Sequence, residues 1–486
     1  MSTPSTTPAA ERPAAAPRSR PAPPPARRLR LVDRFASPAG HDLRAFLTRN
    51  RVPFEWVDLD ADPLARFLAG AAPGGAGAAG AAGVGPGGVR LPVLLLPDGS
   101  RLEAPTLLEA ARAVGLPTRP ARPEYDLTIV GGGPAGLTAA VYAASEGLRT
   151  VVREREAPGG QAGASARIEN YPGFPQGIGG LELTERAAEQ ARRFGAEFVL
   201  VNEVTGADPA ARAPFRLRLL DGAELRSHAL LVATGVAYRL LEAPGVSELT
   251  GRGVCYGSTV GEASLYRGGD VFVVGGGNAA GQAAVHLAKH AARVTLLVRG
   301  DSLAESMSAY LLRELAGAAN LTVRYGTEVA AAQGHERLEA LVLRDRATGA
   351  ETRVPAAGLA LMIGQRPHTA WAEGLLARDA QGFLLTGPDL AAQGRPSDVG
   401  PAGAGAWPLT RAPLFLETSV PGVFAAGDVR HGTPKRVASA VGEGAMAVQL
   451  VHRYLAEYAV ADARALAGSG PLQDPDARAP FLHLAA

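Results

Sequence analysis

The pattern of apolar and polar residues predicts two buried strands that each end at a glycine-rich turn. Residues 127–130 and 270–274 are apolar enough to be strands covered on both faces. Each run is followed at once by glycines and then by a helix pattern rich in small residues. Strand, glycine turn and helix in this order form a unit that holds phosphate groups at the helix N-terminus. The chain therefore predicts two α/β units that bind nucleotides.

The first turn has the spacing that lets a backbone approach a pyrophosphate closely. Two glycines permit the tight turn and the approach, and a third lets the helix pack on the strand. An acid at the end of the next strand, at residue 154, is placed to bind ribose hydroxyls. The predicted contacts are Gly131, Gly133, Pro134, Ala135, Gly136 and Glu154.

The second turn repeats this arrangement, with alanine at the third glycine position. The residue that corresponds to Glu154 is Val298, so a carboxylate that would repel a 2′-phosphate is missing there. The next residue, Arg299, carries a guanidinium group, which binds phosphate well. NADPH is therefore favoured over NADH. The predicted contacts are Gly275, Gly277, Asn278, Ala279, Ala280 and Arg299.

Composition narrows the class of protein. The 486 residues are 47% hydrophobic and 20% charged, which is enough for two to four packed domains. A net charge of +2 gives no reason to expect nucleic acid or an anionic membrane as a partner. No apolar run reaches the length of a membrane span. Cys255 is the single cysteine, which excludes an intramolecular disulfide and favours the cytoplasm.

The N-terminal quarter predicts a small α/β domain over 28–116, after a disordered Pro/Ala/Arg-rich tail over 1–27. Its parts, in chain order, are a strand (29–35), a helix (41–50), a strand (54–59), a flexible Gly/Ala insertion (69–88), a strand (90–96), a turn (97–99) and a helix (106–114). Residues 117–123 predict a stiff linker.

This order, with Leu91-Pro92 at the start of the third strand, resembles a thioredoxin or glutaredoxin fold. The resemblance implies a cis peptide bond at Pro92. It also places the family's Cys-x-x-Cys near Ser37-Pro38-Ala39-Gly40, where this chain has no thiol. Thiol chemistry in this domain is thereby excluded. Two roles remain open, the docking of a partner or neighbouring domain and a purely structural appendage.

Residues 124 to about 457 resemble the low-molecular-weight thioredoxin reductases. The resemblance rests on both glycine turns and on the segments 158–161, 168–173, 233–235, 364–367 and 419–428. It implies an α/β fold with two Rossmann-like domains of the thioredoxin reductase type. An FAD-binding domain would comprise 124–241 and 366–460, with an NAD(P)H-binding domain over 242–365 and a C-terminal tail over 461–486. The resemblance also implies a homodimer.

The same resemblance assigns the first site to FAD. Asp428 would contact the ribityl and pyrophosphate part, and the helix after Lys435 would present backbone N–H groups to the pyrimidine edge of the flavin. The further FAD contacts it implies are Gly160, Gln161, Asn170, Val204, Gly235, Gly427, Asp428, Arg436 and Val437.

The sequence departs from that family at its redox dithiol. The two cysteine positions correspond to Gly257 and Val260, so disulfide exchange has neither an attacking nor a resolving sulfur. Cys255 is either a lone thiol open to sulfenic acid chemistry or a small buried hydrophobe. At Arg299 the family usually has two consecutive arginines, and here Gly300 takes the second place. The runs 299–308 and 436–444 are most similar to bacterial FAD-dependent oxidoreductases that keep the reductase fold without its cysteines.

These observations predict an FAD-dependent oxidoreductase that takes hydride from NADPH and passes electrons to an unidentified acceptor. A small redox protein is one candidate for this acceptor. The crossovers near 241–245 and 364–367 would be hinges between its domains. Two alternatives remain open. One is a ferredoxin or flavodoxin reductase that uses its C-terminal extension, with Phe481 and His483 near the end. The other is a non-catalytic flavin-based redox sensor. Residues 387–412 predict a surface loop.

Overall fold

The fold is taken from a computed structural model. It describes residues 28–34, 37–59, 89–165, 167–208, 213–257, 268–392, 407 and 409–468. The predicted N-terminal tail, the Gly/Ala insertion and Val260 lie outside the described residues. The chain divides into two compact units, Met1–Val114 and Gly115–Ala486, and each is considered by itself.

The described part of the first unit contains one mixed sheet and two helices. In chain order its elements are β1 (Arg30–Asp33), α1 (Pro38–Arg49), β2 (Glu55–Asp58), β3 (Val93–Leu95), β4 (Arg101–Glu103) and α2 (Leu107–Ala113). The strands lie in the order β2-β1-β3-β4, and only β1 and β2 run parallel. The predicted elements are all present, and the cis Leu91-Pro92 bond is confirmed.

Local capping explains where the two helices of this unit begin. Helix α2 starts at a capping box in which the side chains of Thr106 and Glu109 bond each other's backbone N–H groups. Helix α1 begins at Pro38, earlier than the predicted His41, because the Ser37 hydroxyl accepts a hydrogen bond from the N–H of Gly40 at 3.1 Å.

The second unit contains the two glycine turns. The strands of its first half are β5 (Glu124–Val130), β6 (Thr150–Glu154), β7 (Glu197–Leu200), β8 (Val204–Ala207), β9 (Phe215–Leu219), β10 (Glu224–Val232) and β11 (Val236–Tyr238). The helices of this half are α3 (Pro134–Ser145), α4 (Gly160–Gly163) and α5 (Gly180–Arg193).

The chain then enters a second parallel sheet and returns. The strands of this half are β12 (Val254–Tyr256), β13 (Asp270–Val274), β14 (Arg293–Leu297), β15 (Leu321–Arg324), β16 (Thr327–Gln333), β17 (Ala340–Asp345), β18 (Glu351–Pro355), β19 (Gly358–Leu361), β20 (Gln365–Pro367) and β21 (Val423–Ala425). The helices are α6 (Asn278–Ala288), α7 (Ala309–Gly317), a 3₁₀ turn (Ala370–Ala372), α8 (Pro388–Ala392) and α9 (Val437–Gly468).

Two sheets whose central strands run parallel result from this order. The first sheet is seven-stranded, in the order β7-β6-β5-β10-β9-β8, and β21 pairs with β10. The second is five-stranded, in the order β12-β19-β13-β14-β15. Strands β5 and β13, which lead into the glycine turns, are buried almost throughout, as expected for central parallel strands. The chain passes between the sheets through β11 and returns through β20, which pair antiparallel.

Two predicted irregular segments are partly helical. The predicted surface loop over 387–412 begins with α8, whose Leu390 is buried, so this part belongs to the packed structure. The last helix continues to Gly468, beyond the predicted start of the tail at residue 461. Phe481 and His483 lie outside the described residues.

Candidate functional site

The first glycine turn has no room for a side chain at Gly131 or Gly136. Gly131 has φ +112°, and a Cβ there would lie 2.6 Å from the carbonyl carbon of Ala233. A Cβ at Gly136 would lie 3.1 Å from Ile129 Cγ2 and would collide with the carbonyl oxygen of Gly131. Gly133 caps α3 without a side-chain bond. The turn therefore leaves the helix N-terminus bare for a phosphate.

Glu154 lies directly beside this turn at the end of β6. Its Oε2 accepts a hydrogen bond from the N–H of Gly132 at 2.6 Å, and its Oε1 accepts one from the N–H of Glu156 at 3.0 Å. The carboxylate is thus held at the edge of the first helix N-terminus. This is the place from which a carboxylate binds ribose hydroxyls.

The segment around Gly160 and Gln161, far along in sequence, packs on the same turn. The N–H of Gly159 donates to the carbonyl oxygen of Gly132 at 2.7 Å, and a Cβ at Gly160 would lie 3.0 Å from Gly133 Cα. The Gln161 amide donates to the carbonyl oxygen of Val236 in β11. Gln161 thereby joins the nucleotide turn to the strand that leads out of the first sheet.

A small apolar cluster brings together three of the predicted FAD segments. It joins α4, the strand-like segment near residue 168 and the start of α9. Asn170 is exposed beside it. The cluster contains Ala162, Ile168 and Ile178, with Tyr171, Phe174, Leu183 and Val437 packed against them.

The Gly427-Asp428 segment reaches the turn from the opposite end of the chain. It follows β21, and a Cβ at Gly427, which has φ +78°, would lie 3.1 Å from the Cβ of Ala135. The N–H of Gly427 donates to Glu443 at 2.7 Å. Glu443 also accepts hydrogen bonds from Arg430 at 2.7 Å and Thr433 at 2.8 Å. Glu443 was not predicted as a site residue, although it lies in the run 436–444.

Asp428 sits in a polar but largely water-excluded position. Burial raises the pKa of its carboxyl, and the positive charge of Lys435 offsets this in part. The Lys435 ammonium donates to the backbone carbonyl of Asp428 at 2.6 Å and lies 4.4 Å from the ring centre of Phe383. Burial lowers the pKa of Lys435. Arg436, by contrast, is exposed.

Two predicted FAD residues have a different character from the rest. Val204, in β8, is buried within the apolar core of the first sheet, so its side chain serves packing. Gly235 has φ +64° but open space around its Cβ direction, so its conformation rather than crowding requires glycine.

The second glycine turn has the same construction with different chemistry at one position. Gly275 has φ +150°, and a Cβ there would lie 2.6 Å from the carbonyl oxygen of Met362. A Cβ at the middle glycine, Gly276, would face Val298 Cγ1 at 3.7 Å, whereas one at Gly132 would face Glu154 Oε2 at 3.0 Å. Val298 therefore occupies in the second site the place that Glu154 occupies in the first.

The segment before α7 holds this second turn in place. The Ser306 hydroxyl donates to the carbonyl oxygen of Gly276 at 2.7 Å. The N–H of Ser308 donates to the Asn278 side chain at 2.8 Å, at the first turn of α6. Ala279 is exposed, whereas Ala280 is fully buried against the strand. Ser306 and Ser308 were not predicted as site residues.

Gly257, which by the resemblance corresponds to the first of the family's two cysteines, lies against the ring of a tyrosine. Gly257 has φ +82°, and a Cβ there would lie 2.5 Å from Tyr238 Cε1 and 2.6 Å from its Cζ. Burial, and next the negative charge of Asp428, raise the pKa of Tyr238. Its phenol therefore lies between the end of β12 and the Asp428 segment. Cys255 is only 5% exposed and packs in the core of the second sheet, as expected for a small hydrophobe.

The described part of the chain contains neither a candidate membrane span nor a candidate metal centre. None of its helices is long and apolar enough to cross a membrane. Within the same residues, no group of three or more His, Cys, Asp or Glu side chains is placed to hold a metal ion.

Comparisons with known proteins locate the similarity in the second unit. A family model described as pyridine nucleotide-disulphide oxidoreductase matches residues 125–395. NADPH-dependent thioredoxin reductase 3 of Arabidopsis thaliana is 34% identical over 337 residues, which cover 68% of this chain and 58% of that relative. Thioredoxin reductase of Bacillus subtilis is 31% identical over 338 residues, which cover 68% of this chain and 95% of the relative.

A solved structure agrees with these matches. The crystal structure of thioredoxin reductase from Streptococcus pyogenes matches with a TM-score of 0.59 at 30% identity. The match covers 69% of this chain and all of the solved chain. The α/β fold with two Rossmann-type nucleotide-binding parts is therefore shared with that structure.

Proposed function

Because this chain belongs to the pyridine nucleotide-disulphide oxidoreductase family, we propose that it oxidises NADPH through bound FAD and passes electrons on without a dithiol. Thioredoxin reductases, to which it is similar, are NAD(P)H-dependent flavoproteins that use FAD and NADPH. The chain spans only 58% of the Arabidopsis relative, so the activity of that whole protein is not transferred to it.

One observation carries the proposal, the contrast between the two glycine turns. Both turns exclude a side chain at their first glycine, and neither helix that follows has a side-chain cap, so both suit a dinucleotide. Only the first has a carboxylate, Glu154, at the ribose position, and the second has Val298 there. A carboxylate suits ribose hydroxyls and repels a 2′-phosphate. This difference supports NADPH in the second turn. The assignment of FAD to the first turn rests on the resemblance to thioredoxin reductases.

The residues around the first turn have clear tasks in such an enzyme. Glu154 and Asp428 would bind hydroxyls of the FAD chain, while Glu443 holds the Gly427-Asp428 segment in position. The helix N-termini of α3 and α6 would face the two pyrophosphates. The flavin, when bound, supplies the acceptance of hydride and its release as electrons. No side-chain acid or base is required for hydride transfer from the nicotinamide.

The absence of a thiol relay is supported by the sequence and by Tyr238. The chain has one cysteine, Cys255, which is buried in the core. At Gly257 a cysteine side chain would collide with the Tyr238 ring. Electrons would therefore leave directly from the flavin, to a small redox protein or a small molecule.

An anaerobic titration of the FAD-loaded protein tests this proposal. NADPH should bleach the oxidised flavin band near about 450 nm. Full reduction by dithionite should consume about two electrons per chain, because the flavin stores two and a dithiol would store two more. Consumption of about four electrons would contradict the proposal, as would a protein that neither holds FAD nor is reduced by either nicotinamide nucleotide.

A screen of acceptors should follow, with quinones, ferricyanide, ferredoxin, peroxide and thioredoxin. Turnover with thioredoxin would contradict the proposed direct transfer from flavin. Negligible turnover with every acceptor would favour a sensor over an enzyme.

The first unit is proposed to be a thioredoxin-like docking module without redox chemistry. Where the thioredoxin resemblance places the second thiol, a Cβ at Gly40 would lie 2.6 Å from the carboxyl carbon of Asp33, which is fully buried. The position thus has no room for a cysteine. Failure of the protein to reduce insulin disulfides, with and without NADPH, is the expected result.

We further propose a homodimer, measurable by light scattering, and a cytoplasmic location.

A further inference from the structure

We propose that Arg346, from a hairpin outside the nucleotide-binding fold, supplies the second guanidinium that recognises the 2′-phosphate of NADPH. The inference rests on the proposed function and adds a residue to its specificity. Arg299 is the first candidate for this phosphate, and the next residue, Gly300, has no side chain. A second cation for this phosphate would therefore have to come from another part of the chain.

Hydrogen bonds place the Arg346 guanidinium against the residue that follows the Val298 position. Its Nη1 donates to the backbone carbonyl of Arg299 at 2.9 Å. The backbone N–H of Arg346 donates to the carbonyl of Gly326 at 2.8 Å, and the N–H of Gly326 donates to that of Gly300 at 3.0 Å. The start of the β17–β18 turn is thereby fixed to the end of β14. Arg346 belongs to this corner of the site although it is 47 residues from Arg299.

The charges nearby leave Arg346 with capacity for an anion. Its ionic partner among the described residues is Glu328, with 3.6 Å between Nε and the carboxylate. Arg344 shares Glu328 at 3.4 Å and also binds Glu351 at 2.7 Å. A guanidinium has five N–H donors, so the bond to the Arg299 carbonyl and the longer pair with Glu328 do not exhaust Arg346.

Two other acids near this corner are Asp345 and Asp301. Asp345 accepts from the N–H groups of Ala347 and Thr348, both at 2.9 Å, and is held within its own turn. Asp301 is exposed. Arg324, at the end of the neighbouring strand β15, adds a third exposed cation. Positive charge from three separate elements therefore gathers where the first site has a carboxylate.

A 2′-phosphate is the ligand chemistry that fits this corner. The apolar Val298 offers no acceptor for a ribose hydroxyl, so a nucleotide with a bare 2′-hydroxyl gains nothing there. A phosphate carries about two negative charges and binds guanidinium groups by paired hydrogen bonds. Arg346, which is bonded to the backbone carbonyl of Arg299, would add its guanidinium to that of Arg299 at this phosphate.

Binding of 2′,5′-ADP and 5′-AMP to the FAD-loaded protein, measured by calorimetry, tests the inference without requiring turnover. Wild-type protein should bind 2′,5′-ADP more tightly than 5′-AMP. Arg346→Gln should weaken 2′,5′-ADP binding by about tenfold, the loss expected for a charge-assisted hydrogen bond, with 5′-AMP binding unchanged. Arg344→Gln is the matched control from the same strand end and should change neither.

A double variant distinguishes loss of the Arg346 charge from a purely structural effect of its replacement. Gly300 has a φ outside the positive region, and a Cβ there would lie 3.8 Å from the nearest carbonyl oxygen. Gly300→Arg in the Arg346→Gln background should therefore restore the preference for 2′,5′-ADP. The inference is overturned if Arg346→Gln leaves the ratio of the two affinities unchanged, or if wild-type protein shows no preference. Neither result bears on flavin reduction, whose failure with both nucleotides would refute the proposed function instead.

Discussion

At the scale of single residues, the two turns differ most at Glu154 and Val298. Counting along the sequence was enough to pair these positions, because the turn, helix and next strand have nearly fixed lengths in this fold. The structure places both side chains against the middle glycine of their turns. Such counting does not find Glu443, since this residue lies in α9 and accepts a hydrogen bond from the backbone N–H of Gly427. It does not find Arg346 either, because only folding brings its hairpin close to Arg299.

Asp428 leads to a prediction in which binding and stability oppose each other. Burial raises the pKa of its carboxyl, so the folded protein holds the proton more tightly than the unfolded chain does. Above the raised pKa the ionised carboxylate therefore costs stability, and this cost fades as the pH falls through that pKa. Asp428→Asn should raise the free energy of unfolding of flavin-stripped protein at neutral pH, with a smaller gain in mild acid. The same change should weaken FAD binding.

Urea unfolding of the stripped protein at several pH values, together with a fluorescence titration by FAD, measures both effects. Asp270→Asn provides a control of opposite sign. The hydrogen bond from Arg293 lowers the pKa of Asp270, so its stabilising contribution is present above the unfolded pKa and is lost in acid. That variant should lose stability at neutral pH. Equal signs for the two variants would contradict the argument.

At the scale of elements, close contact between α3 and α9 fixes the geometry of the FAD site. A Cβ at Gly444 would collide with the carbonyl group of Ala135, 3.0 Å from its carbon. The glycine thus lets α9 lie directly on the first turn of α3. Gly442, two residues earlier on α9, is exposed with open space around its Cβ direction. The two glycines form a matched pair.

Replacing each of these glycines with alanine should give opposite results. Gly444→Ala should destabilise the protein by about 1–3 kcal/mol through overpacking, and it should weaken FAD binding because Ala135 lies in the first turn of α3. Gly442→Ala should stabilise it by up to about 1 kcal/mol through helix propensity alone. Thermal and urea unfolding with and without FAD measure these changes. A stable Gly444→Ala variant with unaltered flavin affinity would refute the close contact.

The sequence predicted the elements well where local chemistry determines them. The helix from Pro134, the strand ending at Glu154 and the helix around 106–114 are confirmed, because a fixed proline angle, period and caps are local signals. The predicted surface loop over 387–412 was wrong at its start, where α8 lies. This five-residue helix is too short for a periodic pattern, and its Leu390 is buried in a cluster with Ala377 and Leu385.

At the scale of the whole molecule, the predicted α/β architecture is confirmed. What the sequence does not predict is the packing at the crossover between the two large sheets. The two strands β11 and β20, near the predicted hinges, pair antiparallel, with Tyr238 opposite Gln365. No pattern in the sequence links Tyr238 to Gly257, since their contact depends on the path of the crossover. Its consequence is that the strand leaving the first sheet is packed against the end of β12 in the second.

A double-mutant cycle between Gly257 and Tyr238 measures this coupling. Gly257→Ala should destabilise the protein by about 1–3 kcal/mol, because φ +82° strains an L-residue and the new methyl group meets the phenol ring. Tyr238→Ala should remove the clash but leave the backbone strain, so the double variant should be more stable than the two single losses add up to, by at least about 0.5 kcal/mol. Tyr238→Phe keeps the ring carbon that lies 2.5 Å from the added Cβ, so it should rescue far less. Additive losses with Tyr238→Ala would contradict this coupling, because they would show that the Tyr238 ring does not occupy the space beside Gly257 that a side chain there would need.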